Sequence, residues 1–282
     1  MNISLYKSRK RKNLIGLFLS NTAMIIGVSA LVWILFLLFS KGLAGLFSLD
    51  FFLNKTPAAG TPGGGLANAI IGSLMIVSLT TLVSTPIGIL AGIYLSEYGS
   101  NNTIASITRF VSDIMLSAPS IVIGLFVYAI YVSQVKHFSG YAGSFALALI
   151  AVPVILRTTE NILSLVPVQL REAAFALGAP KWKVSIKVVL RAGKSGVLTG
   201  VLLAVARICG ETAPLLFTAL NNQFFSSDMN KPMANLPVVI YQFALSPYNN
   251  WIDLAWGGAL LITLTVLLLN IIARVFLKEK TI

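Results

Sequence analysis

The chain has 282 residues, of which 56% are hydrophobic and 11% charged, with a formal net charge of +12. A soluble domain charges about a quarter of its residues, so this chain lacks the polar surface to cover itself in water. It reads as an all-α integral membrane protein, and its positive balance reads as the basic flanks of membrane spans, which excludes a nucleic-acid surface.

Lys7, Arg9, Lys10, Arg11 and Lys12 precede the first apolar run, about 15–40. That run is too long for a signal peptide and ends at no small-x-small cleavage site, so a retained span is expected. Segment 41–66 contains TPAAGTPGGG, a Pro/Gly linker with little capacity to pack. The run at 67–95 contains Pro86, expected to kink it. It also carries Gly88 and Gly92, four apart, which let another helix approach closely. Further runs lie at 108–132, 142–163, 196–220 and 254–277, which makes six predicted transmembrane helices. Loop 221–253, with Phe224, Phe225, Pro237 and Trp251, is expected to lie partly in the interface.

The charges orient these spans. Arg171, Lys181, Lys183, Lys187, Arg191 and Lys194 share the loop after the fourth run. Arg274, Lys278 and Lys280 follow the last run, whereas the loops on the other side hold only Lys41, Lys55, Lys136 and Lys231. This positive-inside asymmetry places both termini in the cytoplasm. The chain divides into a basic N-terminus (1–14), a first span with its linker (15–66), a transmembrane domain (67–277) and a short tail (278–282). The single cysteine, Cys209, permits no intrachain disulfide. The lone His137 has no metal-ligand company, and no metal site is expected.

The loop from Val168 to Gly196 reads VQLREAAFALGAPKWKVSIKVVLRAGKSG. Leu170, Ala173, Ala174 and Leu177 fall at i, i+3, i+4 and i+7, the face of a short amphipathic helix. Gly178 is placed as a left-handed C-cap, and Pro180 fits the first turn of a second helix. In that helix Trp182, Ile186 and Val189 are expected to share one face, with Lys183, Lys187, Arg191 and Lys194 as a basic stripe toward anionic headgroups. The alanine-rich first helix offers little area to lipid and suits a close-fitting protein pocket. Gly193-Lys194-Ser195 resembles the end of a P-loop, but Val188 stands where the motif needs glycine, and the flanking element is helical. No nucleotide site is therefore expected on this chain.

The run at 196–220 contains RICGETAPLLF. Arg207 lies about 17 Å along it, near the bilayer midplane. A charge there costs roughly 2.5–3.5 kcal/mol on insertion scales, so it must face other helices or water. Glu211, four residues on, can meet it, either as a locking ion pair or as part of an anion path. Pro214 is expected to free the Gly210 carbonyl and break the helix beside Thr212. Arg157 and Glu160 form a second pair near the inner end of the fourth run, and Asp113 is a further possible partner for either arginine. Arginine favours oxyanions. A carboxylate such as Glu211 would accept a hydrogen bond from monohydrogen phosphate and not from sulfate.

Two stretches resemble a known family. Glu172-Ala173-Ala174, three residues, then Gly178 is similar to the EAA loop (168–195) of permease subunits of binding-protein-dependent ABC importers. Val188, Val189 and Leu190 continue that pattern, and Arg191 replaces its proline, which would let the second helix run further. Arg207-Ile-Cys-Gly-Glu-Thr-Ala-Pro-Leu-Leu-Phe resembles the PstA-type permeases of phosphate-specific importers. The resemblance implies a type I importer permease fold in a prokaryotic inner membrane, with a cytoplasmic coupling helix of Glu172, Ala173, Ala174 and Gly178. It implies a translocation path with Arg207, Glu211, Thr212, Arg157 and Glu160, and a helix break at Gly210 and Pro214. It also implies no cofactor in this chain, ATP and magnesium being held by two PstB-type ATPase subunits. A PstC-type sister permease and an extracytoplasmic phosphate-binding protein complete the assembly. The expected function is ATP-driven import of inorganic phosphate. The alternatives are a permease for molybdate or sulfate, an anion channel or secondary carrier, and a scaffold or sensor.

Overall fold

The computed structural model describes residues 3–100 and 102–276, and regular structure among them is entirely helical. The tail with Lys278 and Lys280 lies outside the described residues, as do the side chains of Lys7 and Arg274. α1 (Ile3–Leu46) is one helix of 44 residues, so the first span overruns its apolar run at both ends. Most of its side chains are exposed; Leu38 and Gly42 are buried against the last helix.

The linker packs, contrary to the expectation of an inert Pro/Gly segment. It begins with α2 (Leu49–Leu53), whose Phe51 is 1% exposed and packs with Leu66 and Phe243. The Leu66 N–H donates to the Phe51 carbonyl (2.8 Å), and the Asn68 side chain bonds both the backbone N–H and the hydroxyl of Thr56. Gly64, at φ +89°, and Gly65, where a Cβ would meet the Asp50 carbonyl at 2.2 Å, close this loop. Its glycines serve close packing as well as turning.

α3 (Ala67–Glu97) continues through Pro86. α4 (Thr103–Ser117) is capped by Asn102, whose Oδ1 accepts the Ile104 N–H at 2.9 Å. α5 (Ser120–Val127) runs through a π-helical turn (Tyr128–Val132) into α6 (Ser133–Val135). The predicted span 108–132 is therefore not one straight helix: the chain bends by 107° between Ser117 and Ser120. Pro119 disfavours helical geometry at the residue before it, and Ala118 is extended (φ −68°, ψ 137°). α7 (Gly140–Ser164) follows, with Pro153 inside it.

α8 (Val168–Ala176) lies outside the bundle and has no buried residue. Gly178, at φ +78°, ends it, and the Gly178 N–H donates to the Phe175 carbonyl at 2.9 Å. α9 (Lys181–Lys183), a π-helical segment (Val184–Val189) and α10 (Leu190–Ala192) form the second helix of the loop, and it does run past Arg191. Its buried face is Val184, Ser185 and Val189; Trp182 and Ile186 are exposed. Of the three residues expected on one face, Trp182 and Ile186 are both exposed and Val189 is not, because the π-helical winding shifts the register along Val184–Val189.

A 73° bend at Gly193 leads to α11 (Lys194–Ile208). This helix stops twelve residues short of the predicted 220. A separate short helix, α12 (Ala213–Leu216), follows, with Thr212 as its N-cap. Loop 221–253 is also more ordered than expected. It contains α13 (Leu236–Ala244), capped by Asn235, whose Oδ1 accepts the Val238 N–H at 3.1 Å. Trp251 already lies in the last helix, α14 (Asn249–Phe276). Among the described residues, four helices are long and apolar enough to cross a membrane, or up to six if each bent pair is one span.

The centre of the bundle is the pairing of α3 with α7. A Cβ at Gly88 would stand 2.7 Å from the Ile155 Cβ, and one at Gly92 would stand 2.6 Å from the Thr159 Cβ. The two glycines thus bring the helix backbones together. Ile76, Leu147, Ile150, Ile155, Ala204 and Ile208 join α3, α7 and α11 in the main core. Gly92→Leu is expected to destabilise the protein by about 1–3 kcal/mol, as overpacking does. Leu90→Ala, on the exposed face of the same helix, should leave stability nearly unchanged. Thermal unfolding in detergent measures both.

Candidate functional site

Two charged groups hold the bundle at the end that carries the basic loop. Glu160 on α7 is 12% exposed and accepts from two arginines: Arg109 Nε on α4 at 2.6 Å and Arg157 Nη1 at 2.9 Å. Arg157 also grips Asp113 on α4, through Nε at 3.0 Å and through Nη2. Arg109 Nη2 donates to the Leu95 carbonyl at the end of α3 (3.0 Å). Four charges and one carbonyl thus tie α4 across α7 to α3. Asp113 pairs with Arg157 and not with Arg207. The sequence reading missed Arg109; its signal was that an arginine within an apolar run needs a carboxylate, and Glu160 can serve two.

The second group fastens the loop. Arg171 on α8 donates to Glu97, the last residue of α3, with Nη2–Oε1 2.8 Å and side-chain exposures of 16% and 6%. Arg171 also donates to the carbonyls of Leu163 (2.8 Å) and Val166. Lys181 Nζ sits over the Tyr98 ring, 4.5 Å from its centroid. Arg171 stood in the sequence only as one of a basic cluster. Its partner is 74 residues away, beyond the reach of any local pattern.

Between these anchors, the face of α8 formed by Leu170, Ala173 and Leu177 is open, as is Glu172. Ala174 is half-buried under the loop, where the Ala179 N–H donates to its carbonyl (3.2 Å). The structure therefore presents an apolar strip that nothing among the described residues covers.

Arg207 occupies the last turn of α11, about 20 Å from its start at 1.5 Å per residue. A cation suits that position, because the C-terminal end of a helix carries partial negative charge. Arg207 Nε lies 3.5 Å from Glu211 Oε1, with side chains 47% and 16% exposed. Apart from Glu211, the guanidinium has no ion-pair or hydrogen-bond partner among the described residues. Arg157 differs: it contacts three carboxylate oxygens.

The role expected of Pro214 changes with the helix end. It does not sit inside a continuing helix and free a carbonyl. It stands at the first positions of α12, where a missing N–H costs nothing. The break comes earlier, over 209–212, where the Gly210 N–H donates to the Arg207 carbonyl (3.2 Å) and the Glu211 N–H to the Ile208 carbonyl (3.3 Å). Gly210 is exposed and Thr212 half-buried. Pro214 packs on α5, where a Cβ at Gly124 would stand 2.6 Å from the Pro214 Cα. The broken helix thus offers a partly unsatisfied guanidinium, a carboxylate and open backbone on an accessible face at the end of α11. Among the described residues, no group of three or more His, Cys, Asp or Glu could hold a metal ion.

The fold is shared with solved transporters. The inward-facing MetNI methionine ABC transporter superposes with a TM-score of 0.59 at 19% identity, over 75% of this chain and 92% of that one. An amino acid ABC transporter gives a TM-score of 0.54 at 17% identity, over 74% of this chain and 92% of that one. The fold, taken with the family match that follows, is that of a membrane-spanning permease subunit of the type I ABC importer class. Residues 84–278 match the family described as "Binding-protein-dependent transport system inner membrane component". A protein of Pasteurella multocida (strain Pm70) named "Phosphate transport system permease protein PstA" is 60% identical over 276 residues, covering 98% of each chain. Its namesake from Yersinia pestis is 58% identical over 272 residues, covering 96% of this chain and 92% of its own. The chain belongs to this family of inner-membrane transport components and, within it, to the PstA permeases.

Removing one member of the Arg171–Glu97 pair leaves a buried charge unpaired. Arg171→Met is expected to cost about 2 kcal/mol locally, roughly a thirtyfold rise in opening of α8. Hydrogen exchange over 168–176 reads this directly. Glu172→Gln, on the exposed face, should leave exchange unchanged.

Proposed function

We propose that this chain forms half of the translocation path of an ATP-driven inorganic phosphate importer. The observation that carries the reading is the likeness, over nearly the whole chain, to proteins named phosphate transport system permeases. In this reading the chain lies in a prokaryotic inner membrane, and the basic end of the bundle is cytoplasmic, with both termini there; the lysine and arginine asymmetry supports that orientation. A PstC-type sister permease supplies the other half of the path. Two PstB-type ATPase subunits hold ATP and magnesium, this chain having no nucleotide site of its own. An extracytoplasmic binding protein delivers phosphate.

The open strip of α8, with Glu172, Ala173, Ala174 and the cap at Gly178, docks on an ATPase subunit. Closure of the ATPases displaces α8. The buried Arg171–Glu97 pair passes that displacement to α3, and the α3–α7 contact carries it into the bundle. Arg207 then meets the anion. Its guanidinium can donate in bidentate fashion to two phosphate oxygens while Glu211 accepts the proton of monohydrogen phosphate. Thr212 borders the same break. Arg157 and Glu160 form a lower wall of the path, and their charges are already answered by Asp113 and Arg109. Such a site must hold its ion loosely enough to release it.

Labelled phosphate uptake into proteoliposomes holding the complete assembly, with ATP inside, tests this. Arg207→Ala is expected to lower uptake roughly tenfold or more, about 1.4 kcal/mol of lost stabilisation, with Arg207→Lys recovering part of it. Uptake that is independent of ATP, or unaffected by Arg207→Ala in an intact assembly, would overturn the reading. Glu211→Gln is expected to narrow the preference for phosphate over sulfate. Unchanged selectivity would remove the carboxylate from the filter.

A further inference from the structure

A groove of about 510 Å³ lies between the bend at Gly193 and α3, apart from the site described above. Its walls are apolar: Ile89 on α3, Leu190 and Ile186 on the loop helix, Val197 and Leu198 on α11. Its rim is cationic, with Lys187, Arg191 and Lys194. All three cations are exposed and have no ion-pair partner among the described residues, and no carboxylate lines the groove. The positive N-terminal end of α11, a helix of 15 residues, opens at the same place.

The direction of the groove separates it from the anion path. Leu198 and Arg207 are nine residues apart on α11, so they point about 180° from each other at 100° per residue. The groove therefore faces away from the side on which Arg207 and Leu203 are exposed. Its depth runs along α3, away from the basic end. Ile89 lies eight residues before Glu97, about 12 Å back along α3 from the basic end. The cations stand at that end, and the apolar walls climb from them toward the hydrocarbon.

We propose that this groove binds an anionic glycerophospholipid. Lys187, Arg191 and Lys194 receive the headgroup phosphate, and an acyl chain lies along Ile89, Val197 and Leu198. Free phosphate would satisfy the cations and leave the apolar walls wet. A neutral lipid would fill the walls and leave three cations unanswered. Only a molecule with a negative head and an apolar tail matches both parts, and basic pockets between membrane helices recognise such lipids. The site also joins the loop helix to α3 and α11, so a bound lipid braces the bend at Gly193. None of this depends on which anion is transported.

The test uses the full chain, co-purified with the subunits it assembles with, in nanodiscs containing a photoactivatable phosphatidylglycerol. Peptide mapping is expected to find crosslinks at Ile89, Val197 or Leu198. They should fall roughly tenfold or more in the variant Lys187→Gln/Arg191→Gln/Lys194→Gln. Should that variant fail to assemble, Leu198→Trp fills the groove with the cations intact and is expected to abolish the same crosslinks. Millimolar inorganic phosphate should not displace the probe. Equal labelling by a phosphatidylcholine probe, displacement by inorganic phosphate, or labelling confined to other helices would overturn the proposal. So would a groove labelled in the isolated chain and closed in the assembled transporter, which would assign it to a partner subunit.

Discussion

An ionised side chain inside a membrane must meet an opposite charge or water, and the arrangement of this chain follows from that requirement. The sequence contains only nine acidic residues. Glu160 and Asp113 are committed to Arg109 and Arg157, and that commitment crosses from α7 to α4. Glu97 is committed to Arg171 and crosses from α3 to the loop. Arg207, half-exposed at the end of α11, has no such saturation. Its one partner among the described residues is Glu211, four residues on in the same segment, so this pair joins no two helices.

Packing makes these pairings possible. Glu160 can hold Arg109 on α4 together with Arg157 on its own helix only when the helix backbones lie close together. Gly88 and Gly92 provide that approach between α3 and α7, and Gly200 provides it between α11 and Thr158 on α7. The same bundle tolerates broken helices because each break is covered. Pro119 turns the chain beside α12, and the 209–212 break lies against a core of Ile208, Leu215 and Ile123.

The parts of the fold that were legible in the sequence are those governed by local composition. The runs 67–95 and 142–163 became Ala67–Glu97 and Gly140–Ser164, within a few residues of their predicted ends. Gly178 was recognisable as a left-handed cap because few other residues adopt that conformation without strain. Other features depended on contacts between distant residues. Hydropathy does not distinguish a straight span from one folded back by 107°, since both bury the same apolar side chains. The ladder of linker hydrogen bonds behind Phe51 forms only once α3 and α14 exist to receive it. Within the candidate site, the Arg207–Glu211 pair was readable because it is local at i, i+4. Arg109 and Glu97 were not, because their partners lie 51 and 74 residues away.

The two kinds of charge on the loop differ in their access to ions. Glu97 and Arg171 are 6% and 16% exposed, so mobile ions cannot come between them. Glu172 and the neighbouring lysines stand in solvent, where attraction fades over about 8–10 Å at ordinary ionic strength. Raising the salt concentration therefore acts unequally on this element. It weakens whatever the outer face of α8 holds by charge and leaves the inner face fastened to α3, so the outer side of this element gives way before the inner one.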